Sequence, residues 1–217
     1  MKQKACGAVL IIILFLALDQ ALKIWVKTNM MLHDSIEITP WFYIFFTENP
    51  GMAFGIEVLS KPVLTLFRII AAGFIALYLH TIIKKDYHFG YIVCISLIFV
   101  GAIGNIFDSI FYGVLFDHSV GQIATFMPPG GGYETWLHGK VVDMLYFPLI
   151  NAVLPEWIPF WGGEEFVFFR PIFNLADSFI CVGVCILFIF FHNTLSKSLS
   201  KQEKGTEEEK DDTEETV

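Results

Sequence analysis

Apolar and polar positions fall in long blocks along this 217-residue chain. Four apolar blocks reach about 20 residues, the length that crosses a bilayer as an α-helix. They are Ala5 to about Val26, Pro62 to Ile83, Tyr91 to Tyr112, and Ile172 to His192. Each predicts a transmembrane helix, and each carries its polar residues toward one end. The first holds Asp19, Gln20 and Lys23, the second Arg68, the third Asn105 and Asp108, the fourth Asn174 and Asp177. Between the first two blocks the pattern changes. Ser35 to Thr47 is rich in Ile, Thr, Phe, Tyr and Trp and predicts strands, which lead into a turn at Asn49-Pro50-Gly51 and on to Phe54. The connection from about 113 to 171 is long and contains Met127-Pro128-Pro129-Gly130-Gly131-Gly132 and a Pro- and Trp-rich part from Pro148 to Trp161. Such a connection serves either as a functional lid or as an insertion that covers the membrane surface. The predicted fold class is a membrane protein, mainly α, with four transmembrane helices, a small extracytoplasmic β-sheet (about 27–61) and a long outer loop (about 113–171). The membrane domain is expected over 1–196 and an acidic disordered tail over 197–217.

Charge orients this arrangement. Lys2 and Lys4, then Lys84 and Lys85, then Lys197, Lys201 and Lys204 fall on one side if the blocks alternate. Lysine-rich flanks face the cytoplasm, so a multi-pass protein of a bacterial cytoplasmic (inner) membrane with both termini inside is expected. The polar residues of all four blocks then lie at one depth, near the outer leaflet. The five tryptophans also fall on that side, where indole prefers the headgroup level.

Composition agrees with a membrane setting: 55% of residues are hydrophobic and 23 are Phe. The net charge of −8 comes mostly from the tail Glu203 to Glu215, so the body is close to neutral and no nucleic-acid partner is expected. The first block is too long for a cleaved leader and is followed by Lys27 rather than a small-residue cleavage site. Cys6, Cys94, Cys181 and Cys185 have no metal-ligand spacing and no secreted disulfide pattern, and the histidines are scattered. No metal and no cofactor is expected. Neither HExxH nor G-x-S-x-G occurs.

The chemistry therefore rests on carboxylates. An ionisable group at mid-bilayer costs roughly 3 kcal/mol and usually faces a polar interior. Asn105 with Asp108, and Asn174 with Asp177, are spaced i, i+3, so each helix presents an amide and a carboxylate on one face. Gly101 and Gly104 precede Asn105 and permit close approach of a helix or of a substrate chain. Two aspartates sharing one proton can hydrolyse an amide with water alone. Asp19, Asp108, Asp143 and Asp177 are candidates. Asp177 with Asp143 of Val141-Val142-Asp143 is the favoured pair, although spacing alone does not decide. Asp143 is the one candidate outside a helical block, so it could swing in from the loop. Asp19 has Lys23 at i+4 and suits a structural ion pair. A proton-coupled transporter and a four-helix assembly protein are the competing readings. A transporter would spread its polar residues through the bilayer depth.

Five ordered motifs carry a resemblance. They are Asp19-Gln20 with Lys23; Asn49-Pro50-Gly51-Met52-Ala53-Phe54; Gly104-Asn105-Ile106-Phe107-Asp108; Val141-Val142-Asp143; and Phe173-Asn174-Leu175-Ala176-Asp177-Ser178. Together they resemble the bacterial lipoprotein signal peptidases (signal peptidase II), intramembrane aspartyl peptidases. The resemblance implies cleavage of diacylglyceryl-modified prolipoproteins on the N-terminal side of the lipid-bearing cysteine, and binding of globomycin-type inhibitors. It implies a catalytic dyad of Asp143 and Asp177. It implies substrate contacts from Asn49, Gly101, Asn105, Asn174 and Ala176, and support from Asp19, Lys23 and Asp108. Membrane lipids are the remaining expected partners. Two features depart from the family pattern. Ser109 stands where the family often has Arg, leaving Arg68 or Arg170 as substitutes. The stretch from Asp108 to Asp143 is longer than usual, so about Phe116 to Leu137 should extend the outer loop.

Overall fold

The computed structural model describes residues 1–51 and 60–200. Met52, Ala53 and Phe54 of the second motif, with Lys201, Lys204 and the rest of the tail over 201–217, lie outside the described residues, whereas 197–200, expected as the start of that tail, are helical. Among the described residues, three single helices are long and apolar enough to cross a membrane: α1 (Lys2–Asn29), α2 (Lys61–Lys84) and a continuous rod (Phe89–Leu115). The rod consists of α3 (Phe89–Phe107), a π-helical turn (Asp108–Tyr112) and a last turn (Gly113–Leu115). The fourth span is α4 (Leu175–Phe190), which turns by 87° into α5 (His192–Ser200).

The fourth span starts three residues later than its apolar block suggested. Ile172 and Phe173 pair with strand Val141–Tyr146, and Asn174 then caps α4. The Asn174 side chain accepts from the Asp177 N–H while the Asp177 carboxylate accepts from the Asn174 N–H, a capping box that satisfies orphan donors of the first turn. An apolar run cannot signal this change from strand to helix; the cap does.

The sheet is four-stranded and antiparallel, in the order β1 (Ser35–Thr39), β2 (Phe42–Asn49), β3 (Val141–Tyr146) and β6 (Ile172–Phe173). Two further strands, β4 (Ile150–Val153) and β5 (Glu165–Phe168), form a separate hairpin. β3 is covered on both faces, with Val141 to Leu145 all buried. Its period-two alternation sends Val142 and Met144 into an apolar cluster with Val26, Phe46, Tyr112 and Phe116. A second cluster fills the other end of the bundle, around Ala8, Leu79, Ile82, Tyr91 and Leu187. The polar residues of α1, α3 and α4 lie along the chain between these two clusters.

Residues 116–137 do not simply lengthen a loop. The segment folds back on the end of the third span through Met127 N–H to Leu115 O (2.7 Å), Tyr133 N–H to Phe116 O (2.8 Å) and Glu134 N–H to Gly113 O (2.9 Å). Its Ser119 hydroxyl accepts from Lys27 Nζ at 3.0 Å and donates to Glu48 at 3.1 Å. Lys27 in turn pairs with Glu48 at 2.5 Å beneath the rings of Phe46, Phe116 and Tyr133. Burial opposes ionisation of Glu48, but Lys27 and then Lys140 outweigh it and hold the carboxyl below its usual range. The extension is thus clamped to α1 and β2 by a buried charge cluster.

Candidate active site

The site grows from the N-terminus of α4. Asp177 is the third residue of that helix, so its carboxylate points back toward the first turn and the Asn174 cap. Asn174 is fully buried and donates its side-chain amide to Asp143 Oδ1 at 2.6 Å. One residue thereby touches both aspartates, Asp143 through its side chain and Asp177 through its backbone N–H (3.4 Å). Asn105 of α3 donates to Asp177 Oδ1 at 2.7 Å, while its carbonyl accepts from Lys23 Nζ (3.0 Å) and Asn174 (3.2 Å). An ammonium can only donate, so Lys23 orients the Asn105 amide with its N–H₂ toward Asp177.

Asp143 is not on a swinging loop. It sits on a central strand, opposite Thr47 of β2, and is 4% exposed. The sequence could not show this, because four buried residues around a carboxylate read as a short apolar run without a partner strand. Burial pushes the Asp143 carboxyl up to about 7, with the charge of Asp177 adding to the effect and the Asn174 amide opposing it. Asp177 is half-buried. Beside it opens a cleft of about 320 Å³ lined by Phe169, Phe173, Ser178, Cys181 and Val182.

Behind the two carboxylates lies a fully buried ion triad. Lys23 Nζ lies 2.9 Å from Asp19 Oδ2 and 2.8 Å from Asp108 Oδ2. Gln20 donates to Asp19 (3.0 Å) and to Asp108 (3.0 Å) and accepts from the Tyr112 hydroxyl (3.1 Å). The π-helical turn at Asp108–Tyr112 sets this up, since both of its end residues reach Gln20. Each outer carboxylate then grips backbone next to the site. Asp19 Oδ1 accepts from Ala176 N–H at 2.9 Å, and Asp108 Oδ2 accepts from Val142 N–H at 3.3 Å. The triad therefore fixes the residues that precede Asp177 and Asp143 in the chain.

The structure brings together Asp19, Lys23, Asn105, Asp108, Asp143, Asn174 and Asp177. Gly101 and Ala176 are buried in the α3–α4 contact: a Cβ on Gly101 would collide with the Ala176 carbonyl oxygen. Asn49 is two positions beyond the Asp143 partner on β2, and its side-chain Oδ1 accepts from Gly51 N–H at 2.8 Å. Of the two arginines weighed for the place opposite Ser109, Arg68 is the one that reaches it, at 3.4 Å from the hydroxyl. Arg170 instead donates to the Glu165 backbone. Gln20, whose place between Asp19 and Lys23 in the first motif is its signal, also joins the site, as does Tyr112, which carries no such signal in the sequence.

Comparison with known proteins yields a consistent set. The family model for signal peptidase (SPase) II matches residues 11–193. The lipoprotein signal peptidase of Porphyromonas gingivalis is 55% identical over 207 residues, covering 94% of this chain and 92% of the relative. That of Amoebophilus asiaticus is 36% identical over 200 residues, covering 89% and 80%. Among solved structures, a bacterial membrane enzyme determined by the in meso method superposes with a TM-score of 0.57 at 26% identity, covering 88% of this chain and 90% of that one.

Proposed function

Since the chain belongs to the signal peptidase II family, and is a multi-span membrane protease of that family, we propose that it cleaves diacylglyceryl-modified prolipoproteins just before the lipid-bearing cysteine by an aspartyl dyad of Asp143 and Asp177. The single observation that carries the dyad is Asn174, whose side chain binds Asp143 while its backbone binds Asp177. Two carboxyls joined so closely, one of them buried, hold one proton between them.

The ionised member takes a proton from a water molecule, whose oxygen attacks the scissile carbonyl. The protonated member hydrogen-bonds the carbonyl oxygen as negative charge develops there. Collapse of the tetrahedral species breaks the C–N bond, and the leaving amine of the cysteine takes up a proton from the dyad. Asn105 and Asn174 keep both carboxyls in register through these steps. Asn49 and the amide faces of Asn105 and Asn174 are the proposed contacts for substrate backbone and for globomycin-type inhibitors. Gly101 and Ala176 contribute by letting α3 and α4 close behind the site. The triad of Asp19, Lys23 and Asp108 positions rather than reacts.

The cleft beside Asp177 gives apolar parts of the substrate a lateral way in from the bilayer, so the acyl chains stay in lipid. Lys2, Lys4, Lys84, Lys85 and Lys197 support an orientation with both termini in the cytoplasm and the dyad near the outer leaflet of the inner membrane. The unit over 1–196 is the proposed catalytic body. Confinement of the polar network to one end of the spans argues against a proton-coupled transporter.

The test is cleavage of a purified prolipoprotein in detergent, with and without its diacylglyceryl group. Cleavage of the lipid-modified form alone, with the cysteine at the new N-terminus by mass spectrometry, is expected. Equal cleavage of the unmodified form would remove the proposed specificity.

A further inference from the structure

A second cavity, about 880 Å³, lies at the end of the bundle away from the aspartates. Lys85, Tyr87, Thr194 and Lys197 line it. Two separate elements build it: the turn between α2 and α3, and the short helix α5. The 87° bend after α4 swings α5 across the bundle end. Leu195 packs against the apolar cluster there, and buried Ser198 accepts from the Tyr78 hydroxyl at 2.9 Å. Tyr78 also shares a short hydrogen bond with buried Tyr91. Leu195 and Ser198 thus dock α5 with one face. Thr194 and Lys197, also spaced i, i+3, are carried by the neighbouring face into the cavity.

Among the described residues no carboxylate lines this space. The nearest one in sequence, Asp86, is already held by Lys4 at 3.0 Å and by the N-terminal ammonium at 3.6 Å. Lys4 also donates to the Asp86 and Tyr87 carbonyls, which pins the turn that carries Lys85. Among the described residues, anchored elements therefore present two ammonium groups, a hydroxyl and a phenol to this space. Exposed Phe89 of α3, Phe190 of α4 and Leu199 of α5 lie at the same end of the bundle. Apolar surface beside cationic donors at a membrane face suits a molecule with both acyl chains and a phosphate.

We propose that this cavity binds the phosphate-bearing headgroup of an anionic phospholipid, in the leaflet opposite the one that meets the aspartates. Lys85 and Lys197 supply the charge, Thr194 and Tyr87 the neutral hydrogen bonds. The site lies far along the helices from the dyad and needs no part of its chemistry.

The full chain in neutral detergent is exposed to an equimolar mixture of phosphatidylglycerol and phosphatidylcholine, and the retained lipids are counted by native mass spectrometry. Wild type is expected to retain phosphatidylglycerol preferentially. Lys85→Gln and Lys197→Gln should each lower that preference roughly five-fold, and the double variant roughly 20-fold. Melting temperature and prolipoprotein cleavage in phosphatidylcholine should stay unchanged in all three; if the double variant does not fold, the single variants decide. No preference in wild type, or undiminished preference in the variants, overturns the proposal. Thermal stabilisation by inorganic phosphate alone, equal to that given by phosphatidylglycerol vesicles, would assign the cavity to a soluble anion and overturn the lipid reading. A chain truncated after Ser200 should keep the wild-type preference. A preference that appears only after truncation would make the acidic tail the occupant.

Discussion

Asp19 accepts a hydrogen bond from the backbone N–H of Ala176 at 2.9 Å, joining the first transmembrane helix to the first turn of the last. The same carboxylate holds Lys23, which holds Asp108, which accepts from the N–H of Val142. The two grips end one residue before Asp177 and one residue before Asp143. The polar residues of α1 and α3 thus set the distance between the proposed catalytic carboxyls without touching a substrate.

Removing the centre of that chain should be costly. Lys23→Met leaves Asp19 and Asp108 buried without their cation, and breaking a buried pair in this way costs about 3–5 kcal/mol. A fall in melting temperature of roughly 10 °C is expected, together with loss of cleavage. A variant that melts within a degree or two of wild type would show that the triad carries little of the stability.

The Asp143 carboxyl sets a pH dependence whose sign follows from its environment. Burial first, then the charge of Asp177, raise it from 3.8 to about 7. A raised acid favours the folded state while protonated. That contribution is complete below pH 3.8 and is lost as pH climbs through about 7. Asp143→Asn removes the loss and keeps an acceptor for Asn174, so it should raise the melting temperature by several degrees at pH 8.5 and little at pH 5. In wild type, kcat/KM should fall on the alkaline side with an apparent midpoint near 7 that belongs to the pair. A kcat/KM flat from pH 6 to 9 would contradict the one-proton dyad.

Gly104 tests the geometry behind the site. A Cβ there would lie 2.7 Å from Asp19 Oδ2, and Asp19 cannot move aside while it holds Lys23, Gln20 and Ala176. Gly104→Ala should cut cleavage by roughly 100-fold, the scale of an ångström displacement in a catalytic group. Gly73→Ala, with open space around it, is the control and should leave cleavage unchanged. Equal rates in the two variants would remove Asp19 from the positioning role.

Much of this was legible from residue order, for reasons that can be named. Four apolar runs of spanning length can hardly be anything but membrane helices, and the aromatic, β-branched Ser35 to Thr47 could hardly extend them. The i, i+3 pair Asn105/Asp108 survives as a helix face, and Asn174/Asp177 stays together for a different reason, as the cap and third residue of α4. What escaped was set by distant partners. Asp143 reads as a loop residue until β2 and Phe173 flank its strand. Lys23 reads as the i+4 partner of Asp19, yet its closer carboxylate is Asp108, from another helix. The fold-back of 116–137 depends on backbone bonds to residues 113–116, which leave no mark on side-chain pattern. The bend at Phe191 falls where the apolar block gives way to His192-Asn193-Thr194, with no glycine or proline to separate a turn from a simple end of the span.

The most direct test of the central claim is single-turnover cleavage of a diacylglyceryl-modified prolipoprotein by wild type, Asp143→Asn and Asp177→Asn. Each variant is first shown folded by its melting curve. Both substitutions keep shape and one acceptor oxygen but remove the ionisable group that shares the proton. A fall of at least roughly 1,000-fold in both is expected, because neither half of the dyad can then complete its proton transfer. Cleavage within ten-fold of wild type by either folded variant would contradict the assignment and leave Asp19 or Asp108 to be tested in its place.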